Sequence, residues 1–257
     1  MKTLLLDSLS DINAISMTQG ELERMRIPND YVLIKLHRGN DEIIINKGTE
    51  NESKIFIPIN EGNQEQHAPI YCTVVKVCER LTNVGAGLWE TDIEVQEGDE
   101  VIVYYLPVIT ALGGYFLHGT GNNKSFVVEG DTYVYVPYRD IYCAVRGEEI
   151  IPVNGYCLAA PVEAKKTSEL EIEAKQSEWQ AVVKYLGKPN KRYLDKDKFG
   201  KEVFYDSDEI SVGDIVLMGY SAGLIFLEMP LHQILNERLM FFQRRDVIAT
   251  LSEVISK

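Results

Sequence analysis

Few side chains in this 257-residue sequence have the types and spacing that chemistry demands. His37, His67, His118 and His232 stand alone, with no paired nucleophile. No serine sits in the G-x-S-x-G turn of an acyl-transfer enzyme. Cys72, Cys78, Cys143 and Cys157 form no C-x-x-C pair and have no histidine at metal-ligand spacing. Cys72 and Cys78 lie six apart in an alternating run, so they share one strand face and cannot bridge. Four reduced core thiols are expected. Gly85-Ala86-Gly87 is the nearest approach to a nucleotide-binding turn, but the spacing is incomplete and no helix pattern follows. Asp99 and Asp214 each follow a glycine, in Glu97-Gly98-Asp99 and Val212-Gly213-Asp214. Glycine permits positive φ and aspartate can hydrogen-bond its own turn, so both carboxylates are read as structural. No catalytic residue, metal or cofactor is expected, and the chain is read as non-enzymatic.

The elements that would position such residues are strands. Tyr31–Leu36, Ile70–Val77, Val101–Tyr105 and Tyr133–Val136 are rich in β-branched and aromatic residues. Gly155–Ala159, Trp179–Tyr185, Ile215–Met218 and Leu239–Phe242 match them in the second half. Short strands with regular turns predict small barrels or sandwiches. Only Leu231–Leu239 and Val247–Ile255 have helical patterning. Residues 1–25 differ: Thr18-Gln19-Gly20-Glu21 has capping-box spacing, which predicts an arm with one short helical turn.

Charge narrows the partners. Twenty-six basic against thirty-nine acidic residues give a net charge of −13. That balance argues against nucleic acid and anionic membrane surfaces. No segment reaches the ~18 apolar residues of a membrane span, and Leu4-Leu5-Leu6 is too short for a signal peptide. A cytoplasmic location is expected, in a host cytoplasm or a virion if the chain is viral.

One pattern is written twice. Ile27-Pro28, Val95-Gln96-Glu97-Gly98-Asp99 and Arg139-Asp140-Ile141 recur in order as Ile151-Pro152, Ile210-Ser211-Val212-Gly213-Asp214 and Arg245-Asp246-Val247. Pro28 and Pro152 are 124 apart, Gly98 and Gly213 115, Asp140 and Asp246 106. The offsets shrink smoothly, as a duplicated unit with a shortened second copy requires. The expected organisation is an arm over 1–25, one β-barrel over 26–147 and a second over 148–257. Val145–Glu149 would form a brief linker. The prolines, lacking a donor, would start edge strands open to a neighbour.

Taken together, these motifs resemble the co-chaperonin family of the GroES type, in a tandem form. Trp179–Gly187 resembles the family's G-x-V-x-A-V-G strand, Tyr220-Ser221-Ala222-Gly223 its Y-A-G turn, and Leu239–Leu251 its closing strand and terminus. Tyr71–Val77, Val95–Val103 and Tyr133–Val145 carry the first half, and the likeness covers roughly residues 27 to 251. The resemblance implies an all-β chain of two small irregular barrels. It also implies self-association into a ring that caps a large, ATP-dependent chaperonin. A long loop after the first strand would dock through an apolar tripeptide. Position places these loops at about Arg38–Pro69 and Val162–Glu178. The contacts would be Ile55, Phe56 and Ile57 in the first, Leu170 and Ile172 in the second, where Glu171 interrupts the apolar run. Each large aliphatic side chain buried contributes roughly 1.5–3 kcal/mol, offset by loop ordering, so binding would need many loops acting together.

Departures from the family keep a second reading open. Glu79–Glu94, the basic Lys188–Glu209 segment and the Leu106–Asp131 insertion exceed the plain pattern. An oligomeric structural protein, such as a virion component, would use such additions to lock subunits. Medium-chain dehydrogenases also carry a GroES-like domain, but the nucleotide-binding unit they need is missing here.

Overall fold

The computed structural model describes residues 15–37, 42–45, 53–56, 70–81, 88–89, 93–111, 125–163, 176–193, 203–204, 209–218 and 239–251. The chain is all-β. It divides into two compact units, residues 1–80 with 95–141, and residues 81–94 with 142–257. The division falls at 141/142, where the sequence suggested 147/148, and 81–94 groups with the second unit. Among the described residues no helix is long and apolar enough to cross a membrane.

The first unit opens with β1 (Ile15–Ser16) and α1 (Gln19–Arg24). The expected capping box is formed: Glu21 N donates to Thr18 Oγ1 at 3.3 Å, and Thr18 N donates to Glu21 Oε2 at 2.8 Å. Chiefly that backbone hydrogen bond holds the Glu21 carboxyl below its usual range. Leu22 is buried, which ties the helix to the unit. The sheet comprises β2 (Tyr31–Leu36), β5 (Tyr71–Lys76), β7 (Glu100–Val103), β8 (Ser125–Val128) and β9 (Asp131–Pro137). Within this unit, and with β1, the strand order is β1-β8-β9-β2-β5-β7. β3 (Glu42–Ile45) and β4 (Ser53–Phe56) form a separate hairpin.

The second unit holds β12 (Tyr156–Glu163), β13 (Gln176–Leu186), β16 (Ile215–Met218), β17 (Met240–Gln243) and β18 (Val247–Leu251), in the order β17-β12-β13-β16-β18. β10 (Ile141–Arg146) and β11 (Glu149–Pro152) make a hairpin. The stretch expected as a linker is therefore its tight turn, with Gly147 at φ 64°. β6 (Leu88–Trp89), β14 (Lys191–Tyr193) and β15 (Val203–Phe204) form a small third sheet.

The duplication is legible residue by residue. In the first copy Val32 faces Val136 and Ile34 faces Val134; in the second Cys157 faces Phe242 and Ala159 faces Met240. Cys72 faces Val101 as Ala181 faces Val216. Even the bulge repeats, between Leu33 and Ile34 and between Leu158 and Ala159. The order β9-β2-β5-β7 thus recurs as β17-β12-β13-β16 in one register.

The Gly-Asp words explain why. Gly98 and Gly213 have φ of 91° and 95°, which only glycine adopts without strain. Asp99 Oδ2 accepts from Gln96 N at 2.9 Å, and Asp214 Oδ2 from Ser211 N at 2.8 Å. Gly98 N donates to Val74 O at 2.8 Å, and Gly213 N to Val183 O at 2.9 Å. Each turn launches its strand against the same point of its neighbour. Both aspartates are structural, as read from the sequence.

Three-residue 3-10 turns close each copy's frame, Tyr138–Asp140 and Arg244–Asp246. β17 and β18 are opposite edges of one five-stranded sheet, about 19 Å apart if flat. Four residue steps span at most about 14 Å. The sheet therefore curls until its edges approach that turn. In the first unit Tyr104 N, just beyond β7, donates to Asp140 O at 2.7 Å, which demands the same curl. The expected barrels appear as curled sheets, and no strand pairing among the described residues closes either one.

Two local expectations differ from the structure. Val247–Leu251 is a strand where a helix was expected, because β-branched Val247 and Thr250 pair along β16. The other expected helix, Leu231–Leu239, lies outside the described residues except for Leu239. α2 (Tyr105–Ala111) was not foreseen. Pro107 falls in its first turn, where the missing amide costs nothing, and Ser125 Oγ donates to Ala111 O at its end.

All four cysteines are free and buried. Burial, then the Glu100 charge, pushes the Cys72 thiol up; burial pushes Cys78 up to about 11. The thiolate is the reactive form, so native protein in mildly alkaline buffer is expected to resist a thiol reagent until denaturant is added. Prompt colour from any native thiol in an absorbance titration would contradict this.

Candidate docking segments and their roots

In each copy a segment connects two equivalent strands, β2 to β5 and β12 to β13. In the first, Ile55 and Phe56 lie on β4, whose hairpin sets Ile55 opposite Ile43 and Phe56 opposite Glu42. Among the described residues that hairpin pairs with no other strand. Two of the five residues expected to dock thus share one short strand. Ile57, Leu170 and Ile172 lie outside the described residues.

The root of the first segment carries a polar cluster. Alternation along β2 puts Lys35 and His37 on one face, and β5 offers Tyr71 and Thr73 from the other stem. The His37 ring stacks on Tyr71 with centroids 5.5 Å apart. Glu100 Oε2 lies 2.7 Å from His37 Nε2, while Glu100 Oε1 accepts from Thr73 Oγ1 at 2.8 Å. Thr73 Oγ1 also lies 3.0 Å from His37 Nε2. Next to this group, Lys35 forms an ion pair with Asp131 at 2.5 Å. Hydrogen bonding to Asp131 raises the Lys35 ammonium above its ordinary range.

His37 is therefore not solitary, which corrects the sequence reading for that residue. His67, His118 and His232 lie outside the described residues. The signal was present in the pattern: outward positions on three neighbouring strands bear a histidine, a threonine and a glutamate. What pattern alone lacked was the pairing register. In the cluster both carboxylate oxygens are already engaged with Thr73 and His37, so it works as a clasp across the two stems. Among the described residues no group of three or more His, Cys, Asp or Glu could hold a metal ion.

The second copy lacks this clasp. Register places Val162, Gln180, Val182 and Ile215 at the positions of His37, Tyr71, Thr73 and Glu100. An interlocked polar root in one copy is a largely aliphatic root in the other. The strand register is shared by the two copies, while the residues at these roots differ.

Neither a protein-family model nor a curated protein sequence matches the chain.

Proposed function

We propose that the chain is a tandem co-chaperonin-like lid, which assembles into a ring and docks on a large chaperonin to close its folding chamber. The observation that carries this reading is the single strand register shared by two curled sheets, each releasing a segment between the same two strands. In the first segment Ile55 and Phe56, with Ile57 after them, supply the apolar contact. In the second, Leu170 and Ile172 would do so. A net charge of −13 suits a basic or apolar partner surface better than nucleic acid. The chain's own part is mechanical and non-enzymatic, with ATP consumed by the partner.

The alternative is an oligomeric scaffold, such as a virion component, on the same frame. It draws on the additions outside the repeat: β1 pairs in parallel with β8, and α2 packs near β9.

Size exclusion separates the two. Full-length chain mixed with a large chaperonin and ATP is expected to co-migrate with it. The triple substitution Ile55→Ser, Phe56→Ser, Ile57→Ser is expected to abolish that. Unchanged binding by the triple variant removes the docking assignment. A wild-type chain that never co-migrates overturns the lid reading and favours the scaffold.

A further inference from the structure

Two stretches that lie outside the duplicated frame are joined in one small sheet. β14 pairs on one side with β15, Lys191 opposite Phe204 and Arg192 opposite Val203. On its other side it pairs with β6, Arg192 opposite Trp89 and Tyr193 opposite Leu88. Residues 81–94 precede the first copy's β7 in the chain, yet they group with the second unit. A second fastening lies beyond β6: Asn154 N donates to Glu94 Oε2 at 3.0 Å, and Asn154 is buried. The segment is a strap along one edge of β14, held at β6 and at Glu94.

The charges indicate what the strap imitates. Residues 188–201 include six basic residues, Lys188, Lys191, Arg192, Lys196, Lys198 and Lys201, against two acidic ones. This concentration of positive charge stands in a chain of net charge −13. Residues 81–94 include three acidic residues, Glu90, Asp92 and Glu94, and no basic one. The three recur at every second position, the spacing of one face of an extended strand. An acidic segment is thus laid beside the basic strand of an acidic protein. β6 is only two residues long, and so short a pairing is readily exchanged. A strand edge accepts an extended peptide through its backbone, and charge selects which peptide.

We propose that the β14 edge is a binding site for an acidic, extended peptide segment of a partner protein, and that residues 88–94 occupy it as a built-in competitor. The partner's segment replaces β6 along Arg192 and Tyr193 and brings its carboxylates to the basic stretch. A tethered strap competes at an effective concentration on the order of millimolar. It therefore keeps the edge closed to weak ligands and yields to a tighter one. Nucleic acid fits less well, because the remainder of the chain repels phosphates. The site uses none of Ile55–Ile57, Leu170 or Ile172, so it stands whether or not the chain is a chaperonin lid.

The test uses the full chain and a fluorescein-labelled synthetic peptide with the sequence of residues 88–94, followed by anisotropy. Trp89→Pro disfavours β6 as a strand, and Glu94→Ala removes the second fastening. Each variant is expected to bind the peptide at least tenfold more tightly than the wild type does, and added salt is expected to weaken that binding. A peptide with lysine at the three acidic positions is expected not to bind. Lys191→Glu with Arg192→Glu, added to Glu94→Ala, is expected to abolish the gain. Circular dichroism checks the fold, and if Trp89→Pro misfolds, Glu94→Ala decides alone. Equal affinity of the wild type and Glu94→Ala, or equal binding of the lysine peptide, overturns the proposal. So does a DNA oligonucleotide that binds more tightly than the acidic peptide.

Discussion

Phe242→Ala is expected to destabilise the second unit by about 3–5 kcal/mol, the usual cost of emptying a buried aromatic site. Phe242 lies in a cluster with Cys157, Ala159, Ala181, Val183, Ile210, Val216, Met218 and Met240. Its cross-strand partner is Cys157, which is too small to fill the void. Val136 occupies the same register point in the first copy, opposite Val32, so Val136→Ala removes fewer atoms and costs less. Native-state hydrogen exchange at the Ala181 and Val183 amides reads the effect within the second unit alone. A loss under about 1 kcal/mol would mean that the cluster collapses onto the gap, contrary to close packing.

Gly187→Ala is the second large effect expected, even though it adds only a methyl group. The new Cβ would stand 2.7 Å from both Pro152 O and Tyr156 O. Both are backbone atoms, so no side-chain rotation relieves the clash. Overpacking of this kind costs about 1–3 kcal/mol. Two hydrogen bonds are also at stake: Gly187 N to Tyr156 O at 3.0 Å, and buried Arg244 Nε to Gly187 O at 2.8 Å. If Arg244 loses this acceptor, a buried charge gives up a hydrogen bond, and the total rises. Chemical denaturation followed by far-ultraviolet circular dichroism measures it. A wild-type midpoint for Gly187→Ala would show that Pro152 and Tyr156 can withdraw from Gly187, and that the junction is not tight.

Much of the frame was legible in the sequence because short-range rules wrote it. Tyr31–Leu36 and Ile215–Met218 were bounded to the residue, since each begins beside a turn that fixes its start. The Gly-Asp turns and the Thr18 capping box rest on contacts within four residues. Errors arose where long-range pairing outweighs local pattern. Val247–Ile255 has helical spacing, yet β16 offers a ladder that its β-branched residues fill. The β10–β11 hairpin was mistaken for a linker because Arg146, Glu148 and Glu149 at its centre are charged and surround a glycine. The clasp of His37, Tyr71, Thr73 and Glu100 joins residues up to 63 positions apart, beyond any local signal. Of the docking residues, the sequence pointed to Ile55 and Phe56 by type and place; their pairing with Ile43 and Glu42 needed coordinates.

The matched registers carry a hazard, and the core sizes answer it. Two nearly equivalent frames on one chain invite misfolding by strand exchange between them. Each copy divides its volume differently: Val32 with Val136 and Ile34 with Val134 in one, Cys157 with Phe242 and Ala159 with Met240 in the other. Setting β2 against β17 would crowd Ile34 onto Met240 and Val32 onto Phe242. Setting β12 against β9 would leave hollows beside Cys157 and Ala159. Both hybrids are penalised, one by strain and one by voids, so each nascent strand is steered to its own sibling.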